Sequence, residues 1–411
     1  MILFSHPTGN ANVRNAALGL QRSGLLGEFW TCVCSRNDSR LDRLLPASLS
    51  KLWHRRKYPP DLEPLIRTQP SREICRLLSS RAGLSFAVRH ETGPFSVDAV
   101  YRSLDRRVSR RLRSARFSAV YSYEDGAEFT FREAAQREVR RFYDLPIGYW
   151  KAARELLLEE AALEPDWAMT LDGNKDSAAK TARKDAELAM ADVILVASSF
   201  TKKTLEMAAP FPGKVVVIPY GAPATQKFVK RLPSLGSDPL KVLFVGSLGQ
   251  RKGLAYLFRA MRELGKSATL TVIGTLPAVA CPTLVRALEN VRWISTCTHE
   301  EVLNEMARHD VFVFPSLFEG FGLVLLEAMA MGLPIIATAH TAAPDIIQDG
   351  VEGYIVPIRS SETIAERLLR LHRDRELLGT MSAAAQTRAT QFQWDSYQNR
   401  LAAAVGCALA A

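Results

Sequence analysis

The sequence predicts an α/β protein of two domains, each a parallel sheet with helices on both faces. Three observations predict it. The chain has 411 residues, too many for one ordinary core. Short apolar runs alternate with helical segments along its length. That rhythm pauses where Pro, Gly and Ser collect, between 219 and 239. At 47% hydrophobic and 23% charged residues, the chain is globular rather than disordered.

The first series of strands is expected at Ile2–Ser5, Phe29–Cys34, Ala119–Tyr123, Arg141–Tyr143, Val193–Ala197 and Val215–Ile218. Helices are expected between them, for example over 127–137, 149–161 and 177–190. Residues from about 44 to 116 read as a helical, basic insertion. The second series runs Leu240–Val245, Ala268–Ile273, Val291–Ile294, Val311–Phe314, Ile335–Ala337 and Gly353–Val356. The expected organisation is therefore a first domain over 1–218, a linker over 219–239 and a second domain over 240–385. A last helical segment occupies 386–411.

No run of 18 apolar residues occurs, so no membrane span is expected. The start, Met1-Ile2-Leu3-Phe4-Ser5, lacks a basic n-region and reads as a strand rather than a signal peptide. Six cysteines show no metal spacing and read as buried free thiols, which suits a reducing, cytoplasmic compartment. The net charge is +10, and Lys51 to Arg116 holds 16 Lys or Arg against 6 Asp or Glu. Arg106, Arg107, Arg110, Arg111 and Arg113 recur at helical spacing. They suit either an anionic lipid surface or a solvated helix face. Nucleic acid is disfavoured, because no stacking aromatics interleave with the basic residues.

The densest chemistry lies in Phe314-Pro315-Ser316-Leu317-Phe318-Glu319-Gly320-Phe321-Gly322-Leu323, continuing to Glu327. The run before Pro315 reads as a buried strand, so the next residues stand at its carboxyl edge, where open α/β sheets bind ligands. A carboxylate can accept two bonds from a vicinal diol, so Glu319 and Glu327 point to sugar recognition. A second turn, Gly246-Ser247-Leu248-Gly249-Gln250-Arg251-Lys252-Gly253, follows the first strand of the second series. Its glycines leave N–H groups available, and Arg251 and Lys252 add two positive charges suited to a diphosphate. The spacing is neither a Walker loop nor a dinucleotide fingerprint. No Asp-X-Asp pattern ends a strand in the second series, and no His cluster has metal-ligand spacing.

In the first domain, Asp125 and Asp144 are read as lying just past strands, where they can orient an acceptor hydroxyl or simply cap helices. Gly9, in Pro7-Thr8-Gly9-Asn10, forms either an anion-facing nest or a plain turn. His6 and His340 lie beside strand ends.

These motifs, with Glu327-Ala328-Met329-Ala330, Gly332-Leu333-Pro334 and Gly350-Val351-Glu352-Gly353, resemble family 4 (group 1) glycosyltransferases. The resemblance covers about 220–400 strongly and the first half more weakly. It implies two facing Rossmann-like domains with a deep cleft between them, the GT-B fold. It implies retaining transfer from a nucleoside-diphosphate sugar, UDP- or GDP-linked, to a glycan or glycolipid acceptor. No metal and no cofactor beyond the donor are implied. Arg251 and Lys252 would hold the diphosphate, Glu327 the ribose, and Glu319 with the backbone at Phe321, Gly322 and Leu323 the donor sugar. Gly9, Gly246 and Ser247 would line the donor, and Ile294 would contact the base. The last helix would cross back to the first domain. Many relatives carry a His past a first-domain strand; here that place reads Tyr121-Ser122-Tyr123-Glu124-Asp125, and Asp125 or Asp144 is the candidate replacement. The alternatives are a catalytically silent nucleotide-sugar scaffold and a sugar-nucleotide epimerase of the same fold.

Overall fold

The computed structural model describes residues 1–35, 56–171, 175–222 and 238–410. Most of the expected linker and the start of the basic region (Lys51 included) lie outside these residues. The chain builds two parallel sheets. The first contains β1 (Ile2–Ser5), β2 (Leu26–Thr31), β3 (Ile66–Thr68), β4 (Ala119–Tyr123), β5 (Arg140–Leu145), β6 (Val193–Val196) and β7 (Lys214–Val217). Their order is β3-β2-β1-β4-β5-β6-β7. The helices of this half are α1 (Ala11–Arg22), α2 (Ser71–Arg81), α3 (Val97–Ser114), α4 (Glu128–Ala135), α5 (Trp150–Leu163), α6 (Ala178–Met190) and α7 (Ser199–Thr204).

The second sheet contains β8 (Leu240–Val245), β9 (Ala268–Ile273), β10 (Arg292–Ile294), β11 (Val311–Phe314), β12 (Ile335–Thr338) and β13 (Gly353–Val356), ordered β10-β9-β8-β11-β12-β13. Its helices are α8 (Leu254–Leu264), α9 (Pro282–Leu288), α10 (His299–Met306), α11 (Leu323–Ala330), α12 (Ala343–Ile346), α13 (Ser361–Arg373), α14 (Arg375–Ala389) and α15 (Trp394–Ala410). In each sheet the strand order reverses once, beside β1 and beside β8. The carboxyl ends at that reversal form the crevice in which such sheets take ligands.

The central strands form because they are apolar on both faces: every residue of β1, β4 and β11 is buried. α15 returns to the first half and lies along α1. Any side chain at Gly19 would press on the Gln398 backbone, and Arg22 reaches Asp395 at 2.9 Å and Gln398 at 2.6 Å.

Three expectations change. The described part of the supposed insertion belongs to the first layer: β3 is its edge strand. Val100, Leu104, Val108 and Leu112 of α3 pack with Leu3, Trp30 and Val120. This i, i+4 apolar face is hidden in the sequence by the arginines between its members. Asp144 lies inside β5 rather than past it, because its carboxylate finds Tyr121 in the interior and the strand continues. The cysteines are not uniformly buried: Cys32 and Cys281 are, whereas Cys407 is exposed on α15.

Candidate functional site

The loops after β8 and β11 stand side by side at the second sheet's reversal. After β8, Gly249 enters a short 3-10 turn, Gln250–Lys252, closed by Gly253 at φ 70°. A side chain there would strike the Pro315 carbonyl, so the two loops touch because Gly253 has none. The Leu317 N–H donates to the Arg251 carbonyl at 2.9 Å and completes the seam.

This seam brings Arg251, Lys252 and Glu319 together. Arg251 Nη1 lies 3.1 Å from Glu319 Oε2 and 2.7 Å from the Phe318 carbonyl. The Lys252 ammonium bonds the same Glu319 oxygen and sits 4.6 Å over the Phe314 ring. Burial raises Glu319, but the charges of Lys252 and Arg251 outweigh it and hold the carboxyl below its usual range. Burial draws Lys252 below its usual range despite Glu319. The protein thus carries its own carboxylate on a cation pair at the crevice.

Gly322, at φ 85°, starts α11, whose first N–H groups have no partner within the helix. Phe321 is buried and Leu323 half-buried there. Glu327 stands one turn further along, 3.9 Å from His299 Nδ1 across from α10. Burial pushes its carboxyl up, against the opposing pull of His299. Across the loop after β8, Gly246 abuts Gly274, whose N–H donates to the Ile294 carbonyl at 2.9 Å. Gly246, Ser247 and Ile294 therefore share the edge that holds Arg251 and Lys252.

The first half meets this loop directly. Ser198 and Thr201 donate to the Gly320 carbonyl at 2.6 and 3.0 Å, and Gly320 rests on the Pro146 carbonyl. Asp345 accepts from the Ser199 N–H at 2.8 Å. His340 stacks on Phe200 at 4.6 Å, with Nδ1 2.8 Å from the Leu317 carbonyl.

The remaining first-half candidates lie elsewhere. Asp144 is buried, bonded by the Tyr121 hydroxyl at 2.6 Å beneath α15, and does not face the crevice. Its burial among Tyr121, Leu195, Ile218 and Tyr220 raises its carboxyl to about 7. Asp125, at φ 70°, is taken up by Arg183 at 2.9 Å and by Lys180 and Lys184. Gly9, at φ 56°, has Tyr58 against the place of a side chain, so it forms a packed turn rather than an open nest. His6 Nδ1 accepts from the N–H groups of Thr8 and Gly9 at 3.1 and 3.0 Å. Burial lowers that imidazole to about 3, so it stays neutral.

A set of residues invisible to motif reading joins the halves. Glu160, fully buried on α5, accepts from Gln250 at 2.7 Å, Tyr256 at 2.9 Å and Arg359 at 2.7 Å. Glu164 holds Arg259 through two bonds of 2.5 Å, and Trp167 stacks on Phe258. The Gln250 N–H donates to Thr170 Oγ1 at 2.9 Å, so the turn carrying Arg251 and Lys252 is braced by the first half. The sequence signal is the polar Gln250 beside two basic residues, which reads alone as a surface turn.

Residues 239–374 match the family model described as glycosyl transferases group 1. The amylovoran biosynthesis glycosyltransferase AmsK of Erwinia amylovora is 29% identical over 181 residues, 41% of this chain and 44% of the relative. A D-inositol 3-phosphate glycosyltransferase of Streptomyces griseus is 31% identical over 238 residues, 53% of this chain and 50% of the relative. The chain thus spans about half the length of these curated relatives. The structure superposes on sucrose-phosphate synthase of Thermosynechococcus elongatus with a TM-score of 0.66 at 18% identity, covering 100% of this chain and 99% of the other. On Anabaena HepE, solved with UDP-glucose, the TM-score is 0.63 at 16% identity, covering 99% of each chain. Residues 239–374 thus carry a group 1 glycosyl transferase region, and the two sheets together have the GT-B fold of these solved structures.

Proposed function

We propose that the protein transfers a sugar from a UDP- or GDP-linked donor to a hydroxyl of a polysaccharide, glycolipid or other glycan, with retention and without a metal. The observation that carries this reading is the convergence of Arg251 and Lys252 on Glu319 at the sheet's reversal. A diphosphate would replace the internal carboxylate on that pair. As the glycosidic bond breaks, charge develops on the leaving diphosphate, and the two cations offset it, the task a metal performs in other transferases. Glu319, released, would accept from donor-sugar hydroxyls, and Glu327 from the ribose. Asp125 is ion-paired and Asp144 is buried, so the acceptor proton would pass to the departing diphosphate as the new C–O bond forms. The contact of Gly320 with Pro146 would exclude water from the closed crevice. Relatives named for amylovoran and colanic acid biosynthesis support a glycan acceptor.

The test is release of nucleoside diphosphate from UDP- and GDP-sugars, followed with and without glycan acceptors. Lys252→Ala should lower kcat/KM by roughly 100-fold or more, on the magnitude for losing one transition-state donor. Near-normal turnover by that variant would remove the diphosphate assignment. Tight donor binding with no release from any donor would favour a silent scaffold.

A peripheral site of action at an anionic membrane face is part of the proposal. No helix among the described residues is long and apolar enough to cross a membrane. Ile74, Leu78, Leu84 and Phe86 are exposed on α2 and the turn after it, the last at 63%. Exposed Arg106, Arg107 and Arg110 add charge from α3, whereas Arg111 and Arg113 are committed to Glu28 and Glu133. Co-sedimentation with vesicles should require anionic lipid and weaken with salt. Equal binding to neutral vesicles would count against it.

A further inference from the structure

The first half contains a cavity of about 230 Å³ lined by Arg72, Arg102, Arg106, Lys180 and Arg183, against Glu91 and Asp98. It opens between the N-terminal ends of α3 and α6. Each of those helices runs back from the strand edge and is followed by β4 or β6. The cavity therefore stands at the carboxyl edge of the first sheet, the edge whose β5 and β6 loops touch Phe318 and Gly320 of the candidate site.

The two carboxylates lining it are already committed. Asp98 meets Lys180 and Arg183, each at 3.2 Å. Glu91 accepts from the Ser177 N–H at 2.8 Å and from the Ser177 hydroxyl, and lies 3.3 Å from His90. Arg72, Arg102 and Arg106 have no carboxylate partner among the described residues. Arg72 donates to the Pro94 carbonyl at 2.5 Å. Arg102 and Arg106 both lie over the Phe129 ring, at 5.8 and 4.6 Å from its centre. Arg102 Nε and Arg183 Nε are buried and bond nothing. Those two atoms are closed off from the cavity, so the donors left for a ligand are the terminal guanidinium nitrogens, which can hold an anion in a bidentate way. The N-termini of α3 and α6, capped by Ser96 and Ser177, add positive potential from two directions.

We propose that this cavity binds an anionic group of the acceptor, a phosphate or a carboxylate, and so selects a charged glycan or glycosyl-phosphate acceptor over a neutral one. The inference rests on the transferase reading and adds the acceptor class to it. A cavity of this volume admits one such group with part of its sugar. Arg102 and Arg106 supply the planar donors beside Arg72, whereas Lys180 and Arg183 line the cavity already paired with Asp98, Asp125 and Asp176.

The experiment is calorimetric titration of the full chain, presaturated with UDP so that the donor site is filled. Inorganic phosphate and glucuronate are the two probes. At least one should bind, and Arg106→Gln and the double variant Arg102→Gln/Arg106→Gln should weaken it by about 10-fold or more. The UDP affinity should stay unchanged. Arg106 is exposed, so its single variant tests the site without threatening the core. Phosphate alone identifies a phosphorylated acceptor, glucuronate alone an acidic sugar, and binding of both a general anion site. Binding of neither probe, or equal binding by wild type and variants, overturns the proposal. Failure of wild type to bind UDP at all would instead strike the transferase reading.

Discussion

At the residue scale, the decisive contacts are made where side chains are missing. Gly320 has the Pro146 carbonyl against the place of a Cβ, and its own carbonyl accepts from Ser198 and Thr201. A methyl group there must push the halves apart at the crevice. Gly320→Ala should therefore lower kcat/KM by about 10-fold or more and cost about 1–3 kcal/mol of stability, the range for overpacking a close contact. Steady-state kinetics and urea unfolding measure both, and a variant indistinguishable from wild type would show that the two loops need not touch. Such a site is half legible in sequence. The residue types around Glu319 and Arg251 announce carboxylate and cation chemistry, because few other needs place them in Gly-rich turns. The pairing of Glu319 with Lys252 is not legible, since it joins positions 67 residues apart. Asp144 misleads for the opposite reason. An Asp near a strand end looks functional, yet an internal Tyr121 hydroxyl is enough to bury it.

At the element scale, α5 is the piece whose role the sequence conceals. It belongs to the first half by order, yet Glu160, and Glu164 just past its end, attach it to Gln250, Tyr256, Arg259 and Arg359 of the second. Other elements are plain in the sequence. β8 and β11 show as continuous apolar runs because parallel strands are buried on both faces. β3 escapes because two of its three residues are exposed, which leaves no alternation to detect. For α5 the signal is a buried acid, and a sequence shows only the acid. Removing one member of a buried ion pair typically costs about 3–5 kcal/mol, because the partner is left uncompensated. Glu160→Ala should lose about that much, whereas Glu160→Gln should lose less than half of it, since an amide oxygen still accepts. Denaturant unfolding of the two variants checks the order. Equal small losses would mean that Arg359 and Tyr256 find other partners, and that α5 does not brace the turn of Arg251 and Lys252.

At the scale of the whole molecule, the return of α15 seals a polar interior that couples stability to pH. Tyr397 of α15 and Tyr220 at the end of the first half close over Asp144 from above Tyr121. Burial raises the Asp144 carboxyl from 3.8 to about 7, opposed by the Tyr121 bond. Between those two values the folded chain holds a proton that the unfolded chain has released. The unfolded state then binds fewer protons, so stability falls as pH rises through this window and levels off above it. A rise from 3.8 to about 7, at roughly 1.4 kcal/mol for each pH unit, sets an upper bound of about 4 kcal/mol on the effect. Asp144→Asn carries no such proton and keeps an oxygen for Tyr121. It should flatten this part of the pH dependence and exceed wild type in stability at pH 8. Glu124 and Glu187 are also buried acids raised by burial, so they bend both curves in the same direction. The contribution of Asp144 is therefore the difference between variant and wild type, read from urea midpoints at pH values from 4 to 8. Parallel curves would show that Asp144 stays ionised in the folded protein, with the surrounding tyrosines compensating its charge rather than its proton.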